Sequence, residues 1–245
     1  MSNKNKTNIL PLGDVHVGSS NFNHELFDKW LKNAKDYCNH KRRKSKGYVL
    51  LNGDLCDVAR STQDAWGSTM TVPEQIDYIV EALEPIADNI LYSTMSNHES
   101  RMYKEFNMDI GQEIANRLDI PYGIDCFIDV PYNKRGAYKR VFMRHGNRFS
   151  KSYLLFMRNF INDMSNIEAD IYIIGHSHFL GSQTRVVRTQ EGITKKHYVV
   201  NGAFLDYIGG YANKAGMDFR LAGYPIISIS DNGAFNCTLR WSDEL

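Results

Sequence analysis

Carboxylates, imidazoles and an asparagine recur in this chain in five short blocks. They read Asp14-Val15-His16, Asn52-Gly53-Asp54-Leu55-Cys56-Asp57, Ser96-Asn97-His98-Glu99, Arg144-His145-Gly146 and Gly175-His176-Ser177-His178. Carboxylate oxygen with imidazole nitrogen is the donor set of a hard-to-borderline dication. Manganese suits it best, with iron, zinc, nickel or magnesium also open. Two aspartates (Asp14, Asp54), four histidines (His16, His145, His176, His178) and Asn97 are too many ligands for one ion. Two ions about 3.5–4 Å apart and sharing a carboxylate fit that number. In Asp14-x-His16 and His176-x-His178 the outer residues share one face if the backbone is extended. On a turn they could instead reach adjacent ions. Each block alone has a bland reading as a turn, a cap or a core histidine. Their joint occurrence, in order and each behind an apolar run, argues against that reading for the set.

Those apolar runs are the elements that must position the blocks. Ile9 to Leu12, Tyr48 to Leu51, Ile90 to Tyr92, Val141 to Met143 and Ile171 to Ile174 read as buried strands. Phe22, Leu26, Phe27, Trp30, Leu31 and Ala34 recur at helical spacing, as do Ile76, Ile79, Val80, Leu83 and Ile86. Thr71 with Glu74 reads as a capping box, with Pro73 in the first turn and Pro85 bending or ending the helix. Ile110, Ile114 and Leu118 mark a third helix, and Tyr153 to Met164 a fourth. The tail from His197 to Trp241 looks strand-rich, with Asp231-Asn232-Gly233 as a hairpin turn. Alternating strands and helices give an α/β class. The tail suggests a second sheet, and open α/β sheets build their sites at the carboxyl ends of strands.

The ordered set resembles the calcineurin-like metallophosphoesterase family, whose pattern is D-x-H, G-D-x-x-D, G-N-H-[DE], H and G-H-x-H. All five blocks are present between Asp14 and His178, with one departure: Ser96 stands where the family has Gly. The resemblance implies a single α/β domain over residues 1–245, a two-sheet sandwich flanked by helices, with residues 1–7 a flexible N-terminus. It implies that Asp14, His16 and His178 hold one metal, that Asn97, His145 and His176 hold a second, and that Asp54 bridges them. His98 would face the substrate and protonate or stabilise the leaving oxygen. Asp57 and Glu99 would orient ligands. Two dications make hydroxide available from a bridging water and clamp the phosphoryl oxygens, which is how such a site hydrolyses an ester at neutral pH. An imidazole near its ordinary pKa can serve as the acid.

Substrate signals are thinner. Arg101 follows the third block and either assists a phosphate or is a solvated loop arginine. Residues 134–151 carry Lys134, Arg135, Lys139, Arg140, Arg144, Arg148 and Lys151 without a single acid. They either put positive charge beside His145 or form an exposed strand face opposite it. The loop from Val58 to Thr71 holds Trp66, an aromatic platform for a base or an anchor for the loop, and Tyr103 and Tyr153 are weaker candidates of that kind. The expectation is a metal-dependent phosphodiesterase acting on nucleotides or nucleic acid. A phosphomonoesterase and a non-catalytic metal-bound interaction module are the alternatives. Lysines and arginines number 29 against 28 acids, which excludes a basic coat over the whole surface. No run of about 18 apolar residues suggests a membrane span. Cys38, Cys56, Cys126 and Cys237 form no C-x-x-C pair. With no export signal read, they are expected as reduced thiols in a cytoplasm.

Overall fold

The computed structural model describes residues 6–39, 46–58, 68–100, 102–103, 107–147, 150–190, 192–206 and 220–244. Eleven strands form two sheets among these residues. The first contains β1 (Lys6–Leu12), β2 (Lys46–Leu51), β3 (Ile90–Thr94), β4 (Tyr122–Gly123), β10 (Gly223–Ser230) and β11 (Phe235–Trp241). Its order is β11-β10-β1-β2-β3-β4, with β1 to β4 parallel. The second contains β5 (Asp125–Pro131), β6 (Tyr138–Arg144), β7 (Ile171–Ile174), β8 (Leu180–Thr189) and β9 (Gly192–Asn201), in the order β5-β6-β7-β9-β8. Helices α1 (His24–Cys38), α2 (Val72–Leu83) and α3 (Ile110–Leu118) cover the first sheet, and α4 (Tyr153–Asp163) covers the second.

The period-two pleat explains why the strands read as unbroken apolar runs. Ile9 and Leu50 point into the space between the sheets, against Val141, Met143, Ile171 and Ile173. Their neighbours Leu10, Val49 and Leu51 point outward, onto Phe27, Trp30, Ile76 and Ile79 of α1 and α2. On the second sheet Phe142, Tyr172 and Ile174 face Phe156, Met157 and Phe160 of α4. Every interior strand therefore needs apolar residues on both faces.

Local signals hold the helices in place. Asn23 caps α1, accepting from the Leu26 amide at 2.8 Å. Phe22 before the cap packs on Phe27 with ring centroids 5.6 Å apart, a hydrophobic staple. The Thr71–Glu74 capping box is present, with the Glu74 carboxylate accepting from the Thr71 amide at 2.7 Å. Past Leu83 the chain tightens into a 3₁₀ turn, Glu84–Asn89, containing Pro85.

The tail departs from the expectation. Strands β10 and β11 form the anticipated hairpin around Asp231-Asn232-Gly233, but they extend the first sheet, with β10 antiparallel to β1. The second sheet is built instead from β5 to β9. Long-range antiparallel pairing sets this choice, and no local period encodes it. Strands β5 and β8 were not anticipated, because many of their residues are exposed and only part of each is apolar. The four cysteines are unpaired thiols, three of them buried. Among the described residues no helix is long and apolar enough to cross a membrane.

Candidate metal centre

The polar blocks converge at the carboxyl ends of β1, β2, β3, β6 and β7, where the two sheets meet. The loops after β1 and β2 continue to pair beyond the sheet. The Asp14 amide donates to the Gly53 carbonyl at 3.0 Å, and the His16 amide to the Asp54 carbonyl at 3.0 Å. These two loops and the loop after β7 curl through left-handed backbone, with φ of 52° at Asp14, 54° at His16, 49° at Asp54, 64° at His176 and 57° at His178. Asp14-x-His16 and His176-x-His178 are therefore turns, and the extended alternative does not apply.

Three groups of ligand-type atoms result, each within 4.8 Å: Asp14 with His16 and His178, Asp54 with His145 and His176, and His16 with Asp57 and His98. His16 Nε2 and His178 Nε2 lie 3.2 Å apart. His178 Nε2 is 3.3 Å from Asp14 Oδ1, and His145 Nε2 is 3.1 Å from Asp54 Oδ2. Asp54 Oδ2 is also 3.9 Å from His16 Nε2, so this carboxylate stands between the first two groups. Asn97 Nδ2 is 3.0 Å from His176 Nδ1, which brings the third block to the same point. His98 sits beside the cluster, its ring edge-on to His16 with centroids 4.6 Å apart. Its Nδ1 is 2.7 Å from the Asp57 carbonyl, and its amide donates to Asp54 Oδ1 at 2.9 Å.

Supporting residues fix this arrangement. Glu99 is buried and accepts from the Leu55 amide at 2.8 Å and from Ser96 Oγ at 2.8 Å. Ser96, at the one departure from the family pattern, thus ties its own loop to the block after β2. Burial pushes the Glu99 carboxyl up to about 7, and the nearby Asp54 carboxylate adds to this. Burial also opposes charge on Asp54, but His145 and His16 outweigh it and hold the carboxyl well below its ordinary value. His176 is pushed down by burial and by its neighbour His145.

Asn201 lies outside the five blocks, and Asn52 stands in the second block with no role assigned to it. Asn201 Nδ2 donates to Asp14 Oδ2 at 2.9 Å, and Asn52 Nδ2 donates to Asn201 Oδ1 at 2.7 Å. The Asn52 carbonyl lies 2.6 Å from His145 Nδ1, and Thr94 Oγ1 donates to Asn52 Oδ1 at 3.1 Å. The signal for Asn201 was available, since Asn201-Gly202 follows the apolar run Tyr198-Val199-Val200. Gly175 matters by its size, because a Cβ there would stand 2.7 Å from Asp14 Oδ2.

Three side chains of the basic segment face carboxylates. Arg140 forms a two-pronged pair with Asp129 at 2.8 and 3.0 Å, Lys139 lies 3.3 Å from Asp170, and Arg144 lies 3.8 Å from Asp163. Tyr153 packs against Phe179, and Tyr103 is exposed. Arg101, Trp66 and Arg148 lie outside the described residues.

Three buried polar atoms in the centre have no hydrogen-bond partner: His16 Nδ1, Asp54 Oδ2 and His145 Nε2. Burying such atoms unpaired is costly. Nitrogen and carboxylate lone pairs that face one another are what a divalent cation satisfies, so the residues present fit a metal centre.

Residues 7–194 match the family model of the calcineurin-like phosphoesterases. No curated protein matches the chain. Solved structures similar to it include Vps29 of Entamoeba histolytica complexed with zinc, at 14% identity and TM-score 0.46, covering 96% of this chain and 98% of that one. A conserved protein of Streptococcus pneumoniae TIGR4, described as a predicted phosphoesterase, has 14% identity and TM-score 0.39, covering 98% and 99%. A metallophosphoesterase from Sphaerobacter thermophilus has 14% identity and TM-score 0.40, covering 96% and 87%.

Proposed function

The chain belongs to the calcineurin-like phosphoesterase family, and from that premise we propose that it is a phosphodiesterase acting on nucleotides or nucleic acid with two divalent ions, manganese first. Asp14, His16 and His178 would hold one ion, Asn97, His145 and His176 the other, with Asp54 between them. When bound, the ions supply Lewis acidity toward a phosphoryl group and make water a nucleophile at neutral pH.

The chain's own residues do the rest. The His176 amide and Asn201 fix the Asp14 carboxylate from two sides, at 3.0 and 2.9 Å. The Asn52 carbonyl fixes the His145 ring, which leaves Nε2 turned to Asp54. Anchoring of His98 Nδ1 to the Asp57 carbonyl leaves Nε2 as the atom that passes a proton to the leaving oxygen. His98 is partly exposed, as a group that must meet substrate has to be.

The observation that carries this reading is the set of three buried atoms without a hydrogen bond, facing other ligand-type atoms at the convergence of five strand ends. A diester is favoured over a monoester by charge. Among the described residues Arg140 and Arg144 of the basic segment turn to carboxylates, and Arg220 donates to the Ser177 and Ser150 carbonyls. That leaves little fixed positive charge for a second negative charge on phosphate. The test compares bis(p-nitrophenyl) phosphate with p-nitrophenyl phosphate, each with manganese. Faster turnover of the diester supports the proposal. Faster turnover of the monoester makes the protein a phosphomonoesterase, and no turnover with any dication makes it a metal-bound interaction module.

A further inference from the structure

Helix α2 turns a mostly apolar face inward, through Ile76, Ile79, Val80 and Leu83. Gln75 stands on that face at 1% exposure. Burying a carboxamide is costly unless its hydrogen bonds are met, and here backbone groups meet them. Gln75 Oε1 accepts from the Asp57 amide at 3.1 Å and from the Val58 amide at 3.3 Å, and Nε2 donates to the Met70 carbonyl at 3.0 Å. Donors on one side and an acceptor on the other fix which end of the carboxamide is which. Gly18 makes room for this side chain, because a Cβ there would stand 2.5 Å from Gln75 Cδ.

What the carboxamide holds is the peptide unit between Asp57 and Val58. The carbonyl of that unit lies 2.7 Å from His98 Nδ1, and its N–H points to Gln75. This orientation comes with φ of 50° at Val58, a buried β-branched residue. Such a residue is strained in the left-handed region. Relaxing it to negative φ, with the flanking chain held, turns the peptide over. The Val58 N–H would then face His98 in place of the carbonyl. A carbonyl only accepts, so His98 Nδ1 carries a proton in the present arrangement and Nε2 keeps the lone pair of the neutral ring. Facing an N–H instead, Nδ1 would have to accept, and the ring proton would move to Nε2.

We infer that Gln75 is a positioning residue for His98. It holds the Asp57–Val58 peptide against its own strain, so that Nε2 is the nitrogen that exchanges a proton with substrate. This role rests on the phosphodiesterase reading and adds one residue to the same site. A strained non-glycine residue persists only where its surroundings over-determine it, and the two amide bonds to Gln75 Oε1 are what does so here.

The test uses the full-length zinc-loaded protein with isotopically labelled histidine nitrogens, at about pH 8.5, where an ordinary imidazole is neutral. Nitrogen shifts separate the protonated ring nitrogen from the bare one, and His98→Ala assigns the signals. In the parent, Nδ1 of His98 should carry the proton. Gln75→Leu keeps the bulk without the carboxamide, and the proton should move to Nε2. In the same variant kcat for bis(p-nitrophenyl) phosphate should fall about tenfold, with KM and zinc content unchanged, which is the scale of one strained backbone residue. Gln75→Met repeats the substitution where Leu does not fold. Val58→Gly added to Gln75→Leu removes the strain, and it should return the proton to Nδ1 and most of the lost kcat. A parent with the proton on Nε2 overturns the inference. So does a proton that stays on Nδ1 in both Gln75 variants, or a double variant that keeps it on Nε2. A proton that moves with Gln75, in a protein that turns over no ester, supports the positioning role and refutes the hydrolase reading.

Discussion

Where β1, β2 and β7 run out, left-handed backbone is carried by Asp14, His16, Asp54, His176 and His178. At the opposite end, in the turns between β5 and β6 and between β10 and β11, it is carried by Gly136 and Gly233, with φ of 80° and 78°. A Cβ at Gly136 would meet nothing within 4 Å, so glycine serves there for its conformational freedom alone. At the candidate metal centre the same backbone shape is adopted by aspartates and histidines whose side chains converge. Each left-handed non-glycine residue costs about 1–2 kcal/mol. The pairing of the two loops and the bonds to Asn201, Asn52 and Glu99 over-determine the geometry and hold it. Aspartate and histidine also tolerate this region better than most residues. Val58, buried with φ of 50°, has no such tolerance, and its amide donates to Gln75 Oε1 at 3.3 Å.

The contrast can be broken at either end. The largest expected effect is at His98. Replacing it by Ala should lower kcat for a diester by about 10²- to 10⁴-fold, as for loss of a general acid. Metal content measured by atomic spectroscopy should stay near that of the parent, and loss of metal would transfer His98 to the ligand set. Next comes Gly175→Ala. Its added Cβ meets Asp14 Oδ2 at 2.7 Å and should weaken manganese binding about 10- to 100-fold, as read by calorimetry. Unchanged affinity would show that the Asp14 carboxylate is free to move.

A histidine at the far end gives the third comparison. His197 is stacked on Phe235 with centroids 3.8 Å apart and bonded to Thr184 Oγ1 at 2.9 Å. Burial pushes it down to about 4, helped by Lys139 and Lys195 and opposed by Asp170. In the unfolded chain it titrates near its ordinary value, about 6.5. Between these values only the unfolded chain holds the proton. Stability should therefore fall as pH falls from about 6.5 to about 4, by about 3 kcal/mol in all. Urea midpoints at several pH values check this, and His197→Phe should lose that part of the slope. The smallest effect belongs to Gly136→Ala, about 1 kcal/mol from backbone strain alone with kcat unchanged. A larger loss would mean that the open turn is not open in solution.

The sequence carried the site further than the topology. The ligand-type residues were legible because each follows a short apolar run, and strand ends gather loops from distant parts of a chain. The α1 face and the Thr71–Glu74 box were legible because helix signals are local. The assignment of β10 and β11 to the first sheet was not, since register is settled between strands more than 200 residues apart, as for Lys6 and Ser230. The turned shape of Asp14-x-His16 was hidden because φ leaves no mark on residue type beyond a weak preference. Asn201 was missed for a different reason: strand β9 ends at the site like the others, but its polar residue bonds to Asp14 and stands in none of the five blocks.

The chain of bonds Thr94–Asn52–Asn201–Asp14–His176 joins loops and strand ends of the first sheet to those of the second. Mechanically it is a clasp closing one end of a book whose two covers are the sheets. Between the ends the covers meet by apolar contact, and at the opposite end two further bonds join them, Thr7 Oγ1 to the Pro131 carbonyl at 3.1 Å and Asn133 Nδ2 to the Asp231 carbonyl at 3.3 Å. Shear between the sheets is therefore resisted at both ends, by buried bonds at the clasp and by one part-buried and one exposed bond where Thr7 and Asp231 lie.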